Sequence, residues 1–332
     1  MSKIKETDYV FLSANLRARE GRLLNRERLS KMVDAADFSE AAKILVDCGY
    51  PELDGMTDAE LERVFSARRE AVFAEVEKLS PEPAIATAFR LKYDYHNAKA
   101  LVKAEGAGAD GEHILSACGR VAPEKLIKAY TEDDWRDVPP AFAAAVREAK
   151  SMLARTANPQ LTDIGLDKAY FAEYLSLAGG LSDDFLLGYG RLGVDVANLR
   201  AAVRCVRSHM DASVLATALI AGGNVDADRI RGAANSPDDL AAVFSSGRLA
   251  KAAELGAEAV KGAKLSAFEL ECDNVLLRYL ADAKTVSFGP EPVEAFLAAV
   301  EGEIVAARMV LLGKRNAVSP DMLRERLRDC YV

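Results

Sequence analysis

Cysteine is scarce in this 332-residue chain. The five present (Cys48, Cys118, Cys205, Cys272 and Cys330) stand far apart, with no Cys-x-x-Cys among them. That spacing excludes a disulfide framework and a thiol zinc site. It reads as reduced thiols packed as small core residues, in the cytoplasm or on the cytoplasmic face of a membrane. Histidine is scarcer still. His96, His113 and His209 form no His-Glu-x-x-His pair and no Cys/His set with metal spacing. No G-x-x-x-x-G-K-[ST] loop occurs, so a Walker-type nucleotide site is excluded. No run of about 18 apolar residues exists, and no segment is expected to span a bilayer by itself. The opening MSKIKETDYV puts charges where a signal peptide needs an apolar stretch. Basic excess is also missing. There are 43 Lys+Arg against 51 Asp+Glu, a net charge of −8, which argues against nucleic acid as a partner. With 22 Gly and 11 Pro, the chain has too few turn formers for a turn-rich all-β protein.

What is present is helix. Half the residues are apolar, enough for a large core, and the length predicts two or three units or one large repeat array. Asp37 to Glu40 and Thr57 to Glu60 have capping-box spacing, in which the cap oxygen and the acid three residues on satisfy orphan amides reciprocally. Ser236-Pro237 and Ser319-Pro320 place a cap residue before Pro at the first helical position, where its missing N–H costs nothing. Strand signals are poor. Lys284–Phe288 is the best candidate and reads as an extended loop between helices. Breaks are expected at 106–112, 157–165 and 222–226. The closing stretch from Met322 to Val332 reads as one amphipathic helix running to the last residue, with Leu323 and Leu327 on one side and Arg324 and Arg328 on another.

The chain repeats itself. Residues 91–104 read LKYDYHNAKALVKA and residues 192–205 read LGVDVANLRAAVRC. Asp94 and Asn97 match Asp195 and Asn198. The stripe Leu91, Tyr95, Ala98, Val102 matches Leu192, Val196, Leu199, Val203, which is one face of a helix. A weaker copy starts at Glu301 and keeps the acid but not the Asn. Each copy follows another apolar helix (60–79, 167–175 and 273–280). Each unit therefore ends in two long helices, and three units are expected at 1–110, 111–212 and 213–332. One such hairpin cannot bury its own apolar face, so the units must stack.

Candidates for chemistry are few. Gly106 to Gly111 and Gly188 to Gly193 both spell G-x-G-x-x-G, but a dinucleotide site needs a strand before and a helix after. The first reads as a helix termination. The second is expected between helical segments. His96 is replaced by Ala197 in the equivalent unit, which argues packing or surface rather than catalysis. The Asp94–Asn97 and Asp195–Asn198 pairs, at i, i+3 on a helix, read as polar clamps that fix hairpin register by bonding the neighbouring helix. A metal or substrate site is the competing reading, disfavoured because architecture repeats more readily than active sites do. Arg17, Arg19, Arg22, Arg26 and Arg28, with Glu20 and Glu27 interleaved, read as a solvated face. The competing reading makes them a docking surface for an acidic partner or lipid headgroups, with Arg17, Arg19 and Arg22 as the candidate interface.

Taken in order, these segments resemble a known family. The carriers are residues 9–24 (YVFLSANLRAREGRLL), and residues 29–50 with DFSEAAKIL and the CGY ending. The repeated Asp94 and Asp195 helices follow, then Glu303 through Arg308, LLGK at 311–314, Ser319-Pro-Asp and the closing LRERLRDCYV. The whole chain is similar to the C subunit of the archaeal and bacterial V-type (A-type) ATP synthases, the counterpart of the d subunit in eukaryotic V-ATPases. The resemblance implies an all-α, funnel-shaped array of three similar helical-hairpin domains. It implies a non-catalytic rotor subunit on the cytoplasmic side of the membrane, peripheral and attached through the ring. Its partners would be the membrane rotor-ring proteolipids and the central-stalk shaft subunits, whose torque couples ATP chemistry to proton or sodium transport. No cofactor, small-molecule substrate or catalytic residue is implied. One end is expected to offer polar and acidic groups to the stalk, and the other apolar and basic groups to the ring. Two rival readings stand beside it: a soluble helical-repeat scaffold for another protein, and an all-α enzyme using Asp94, His96 or Asp195.

Overall fold

The computed structural model describes residues 4–181 and 183–332, so the first three residues of the charged opening segment lie outside it. Among the described residues the fold is all-helical, with no strand. The helices run in the order α1 (Val10–Glu20), α2 (Arg26–Asp34), α3 (Phe38–Val46), α4 (Asp58–Leu79), α5 (Ala84–Ala107), α6 (Pro123–Glu132), α7 (Pro140–Thr156) and α8 (Pro159–Leu181). Then come α9 (Asp184–Arg207), α10 (Ala212–Ala218), α11 (Ala227–Ala233), α12 (Pro237–Phe244), α13 (Ala250–Val260), α14 (Leu265–Ala281), α15 (Pro290–Arg315) and α16 (Pro320–Arg324).

The start signals work as read. Thr57 closes a full capping box with Glu60 at the head of α4. Asp37 accepts the Glu40 N–H at 2.9 Å, while the Glu40 side chain reaches one residue further back, to Ala36 N–H at 2.6 Å. Ser236 and Ser319 cap α12 and α16 ahead of their prolines.

The chain forms two compact units. One holds residues 1–83, 202–209 and 232–332, and α15 is its axis. The stretch Pro292–Val300 of α15 is buried on every side, as expected for a helix apolar all round. It packs against α1, α2, α3, α4 and α14. The other unit holds residues 84–201 and 210–231. Its core gathers Tyr95, Leu126, Phe142, Val146, Leu153 and Leu166 from α5, α6, α7 and α8. Each fully buried side chain of this size contributes roughly 1.5–3 kcal/mol relative to leaving it in water. Helices α8 and α5 run antiparallel, fixed by Lys99–Asp167 at 2.5 Å and Lys103–Asp163 at 2.6 Å.

Three local expectations fail for identifiable reasons. The break foreseen at 157–165 is only two residues long, because Ala157 takes a left-handed turn (φ 50°) and Pro159 starts α8 at once. The glycines at 188–193 lie inside α9 rather than between helices. A Cβ on Gly190 would sit 2.5 Å from Tyr174 Cε1, and one on Gly193 would sit 3.2 Å from Phe171 Cε1. They are small so that α9 can approach α8. The closing helix stops at Arg324. Beyond it the tail is captured by side chains. Asp329 N–H donates to Asn274 Oδ1 at 2.8 Å, and Arg328 pairs with Asp273 at 2.8 Å. Tyr331 is buried with its hydroxyl beside Arg17 and Glu20.

Candidate functional site

The repeated polar residues are the most organised feature of the chain, and each Asp–Asn pair works on a loop that follows its own helix. Asp94 and Asn97 lie fully buried in α5. Asn97 mimics a peptide unit. Its Oδ1 accepts the Ser116 N–H at 2.7 Å, and its Nδ2 donates to the Ser116 carbonyl at 2.8 Å. Asp94 Oδ1 accepts the Val121 N–H at 3.1 Å, and Oδ2 accepts Arg120 Nε at 2.6 Å. Arg120 reaches on to Glu173 at 2.6 Å, which also takes the Tyr95 hydroxyl at 2.8 Å.

The second copy does the same. Asn198 accepts the Ile220 N–H and donates to the Ile220 carbonyl, both at 2.8 Å. Asp195 accepts the Val225 N–H at 3.0 Å and both the backbone and side-chain N–H of Asn224, at 3.1 and 2.8 Å. The loop must come very close to the acid in both. A Cβ on Gly119 would stand 2.4 Å from Asp94 Oδ1, and one on Gly223 would stand 2.2 Å from Asp195 Oδ1. The two clamps differ in charge. A guanidinium pairs with Asp94, whereas Asp195 has only neutral donors, and burial pushes both carboxyls above the ordinary Asp value.

The third copy is assembled from both ends of the chain. Glu301 binds Arg69 at 2.6 Å. The acid that takes a loop N–H is Glu303, two residues on, with Leu24 N–H at 2.7 Å. In all three copies the acid stands twelve or thirteen residues before the end of its long helix. In all three the next short helix begins two residues after the bonded N–H, at Pro123, Ala227 and Arg26. The Asn position of the third copy is Ala306. The backbone it would meet, five residues before Leu24, is Arg19 inside α1, whose amide already serves that helix. There is nothing there for an Asn to bond.

The clamps therefore join helix to loop, not helix to helix as the spacing suggested. Sequence reasoning missed Gly119, Arg120, Gly223 and Glu303. A signal existed for the glycines: Gly-x-Val two residues ahead of a helix, 25 and 28 residues after the acid. The acid and amide side chains of the three clamps are all buried. Among the described residues no group of three or more His, Cys, Asp or Glu is placed to hold a metal ion. His96 is exposed, its Nε2 3.2 Å from the Ile114 carbonyl.

The N-terminal arginines divide. Arg17 donates to Glu20 at 2.8 Å, to the Tyr331 hydroxyl at 3.2 Å and to the carbonyls of Ala283 and Val286 at 2.5 and 2.9 Å. Arg19 pairs with Glu75 and lies over the Phe296 ring. Both are engaged within their own unit. Arg22 and Arg26 are exposed, with no ion pair among the described residues. No helix among the described residues is long and apolar enough to cross a membrane.

Fold and clamps together define an all-α protein whose repeated polar residues hold its own loops. Its kinship is more particular. The profile of the ATP synthase (C/AC39) subunit family matches residues 12–326, and the chain belongs to that family. It is 26% identical to the C subunit of the V-type sodium ATPase of Enterococcus hirae, over 98% of this chain and 99% of that one. It is 27% identical to the C subunit of the V-type ATP synthase of Thermus thermophilus, over 93% and 94%. It is 22% identical to the C subunit of the A-type ATP synthase of Methanocaldococcus jannaschii, over 96% and 86%.

Proposed function

We propose that this chain is a non-catalytic rotor subunit of a V/A-type ATP synthase or ATPase. In this reading it is peripheral, on the cytoplasmic side of the membrane. It seats on the rotor-ring proteolipids and holds the foot of the central shaft, so that torque couples ATP synthesis or hydrolysis to ion transport. The division into three helical units (1–110, 111–212, 213–332) in a funnel-shaped array is part of the same reading, with the third unit drawing its loop from the start of the chain through Leu24.

The family match along nearly the whole chain is the observation that carries the proposal. The clamps supply a physical reason. A torque coupler must not shear, and close-packed helices resist deformation. Loops are ordinarily the compliant part of such a body, and here buried amide and carboxylate groups tie them to the long helices. Of the three arginines that the sequence offered as an interface, Arg22 is the one left exposed for a partner.

The test is affinity purification of the tagged full chain from gently solubilised membranes. Stalk subunits and a small proteolipid are expected to copurify in fixed ratio. A chain recovered alone, or with unrelated proteins, would overturn the assignment.

A further inference from the structure

One groove in the first unit takes no part in the clamps. It has a volume of about 260 Å³ and lies between α14, α15 and the C-terminal tail. Its floor is apolar and half-buried: Leu270, Val305, Ala306 and Met309. Its size is below the roughly 300–1,000 Å³ of sites that enclose a small molecule. It is large enough for one or two apolar side chains presented by another protein.

The charges on its rim are unequal. Glu269 is paired with Arg204 at 2.7 Å, and Asp273 with Arg328 at 2.8 Å. Arg326 also lines the groove, is exposed, and has no ion pair among the described residues. With the two acids neutralised, the rim carries one net positive charge beside an apolar floor.

Asn97 and Asn198 use their amides to hold a backbone segment of this chain against the long helix. The third copy has Ala306 at that register, on the floor of the groove. Ala306 puts no polar group on that floor.

We infer that this groove docks a segment of another protein, one that presents a Leu, Met or Phe side chain with an Asp or Glu within a turn of it. The apolar side chain fills the space between Leu270 and Met309, and the carboxylate meets Arg326. The inference goes beyond the rotor assignment and does not depend on it.

The experiment places p-benzoylphenylalanine at Met309 in the full-length tagged chain. The complex is irradiated as purified from membranes, and the crosslinked peptide is sequenced by mass spectrometry. A crosslink to a single segment carrying an apolar residue flanked by Asp or Glu is expected. Its yield should fall at least fivefold with Arg326→Glu and be retained with Arg326→Lys, at unchanged thermal unfolding of the chain. The same crosslinker at Val214, an exposed position remote in sequence, is the control. No crosslink, a crosslink to a basic segment or lipid, or a yield indifferent to Arg326→Glu would each overturn the inference. A crosslink with the expected charge dependence to a protein outside any rotary complex would support the groove while counting against the rotor assignment.

Discussion

Replacing Glu303 with alanine is expected to destabilise the first unit by about 3 kcal/mol, and to lower its melting temperature by on the order of 10 °C. The side chain is almost fully buried, and it satisfies three donors drawn from distant parts of the chain. Oε2 takes the Leu24 N–H at 2.7 Å, and Oε1 takes the Tyr50 hydroxyl and Arg68 Nε, both at 2.8 Å. Burial pushes the Tyr50 phenol well up, so it remains a donor. Alanine leaves a buried N–H and a buried hydroxyl without an acceptor, and a partly buried cation without its carboxylate. Arg68 keeps the Cys48 carbonyl at 3.2 Å and its seat over the Tyr50 ring, so the loss stays near the lower end for a broken buried pair. The exposed pair Lys31–Glu27 is the comparison. Removing Glu27 should leave the melting temperature almost unchanged, because both partners are well solvated. Thermal unfolding of both variants decides the matter, and equal shifts would show that Glu303 is not a clamp.

The second large effect is expected at Asn198. Leucine is close to it in size but cannot bond a peptide. Asn198→Leu leaves the N–H and the carbonyl of Ile220 buried without partners, at about 1–3 kcal/mol each, and roughly 3 kcal/mol together. Asn97→Leu removes the same two bonds from Ser116. Ser116 is half-exposed, so water takes over part of the lost bonding, and the cost falls to about 1–2 kcal/mol. Denaturant unfolding should rank the two in that order. Amide exchange should also show Ile220 losing protection in the Asn198 variant. The reverse ranking would mean that burial does not set the strength of these clamps.

Both clamps show how far the sequence was legible. Helix positions, caps and the paired long helices could be read because their signals are local: a cap oxygen and the amide it bonds lie within three residues. The Asp–Asn pairs could be read because they repeat at helical spacing. Their partners could not, since each lies 19 to 30 residues further on, in loops with no periodicity of their own. Glu301 stood out over Glu303 for the same reason. The deciding contact, with Leu24, spans 279 residues of chain. The tail misled because LRERLRD has high helix propensity, and propensity loses to the tertiary contacts of Arg328, Asp329 and Tyr331. The arginine cluster looked uniform in sequence. Only the structure separates Arg17 and Arg19, bonded inside the unit, from the exposed Arg22 and Arg26.

The proposed role is mechanical, so coupling is the quantity to measure. The complete complex and one assembled without this chain are reconstituted into sealed vesicles, and ATP hydrolysis and ion uptake are followed together. A torque coupler requires that the complex without the chain still hydrolyses ATP while ion uptake falls to the background of empty vesicles, and that adding the purified chain back restores uptake. Uptake undiminished without the chain would contradict the role.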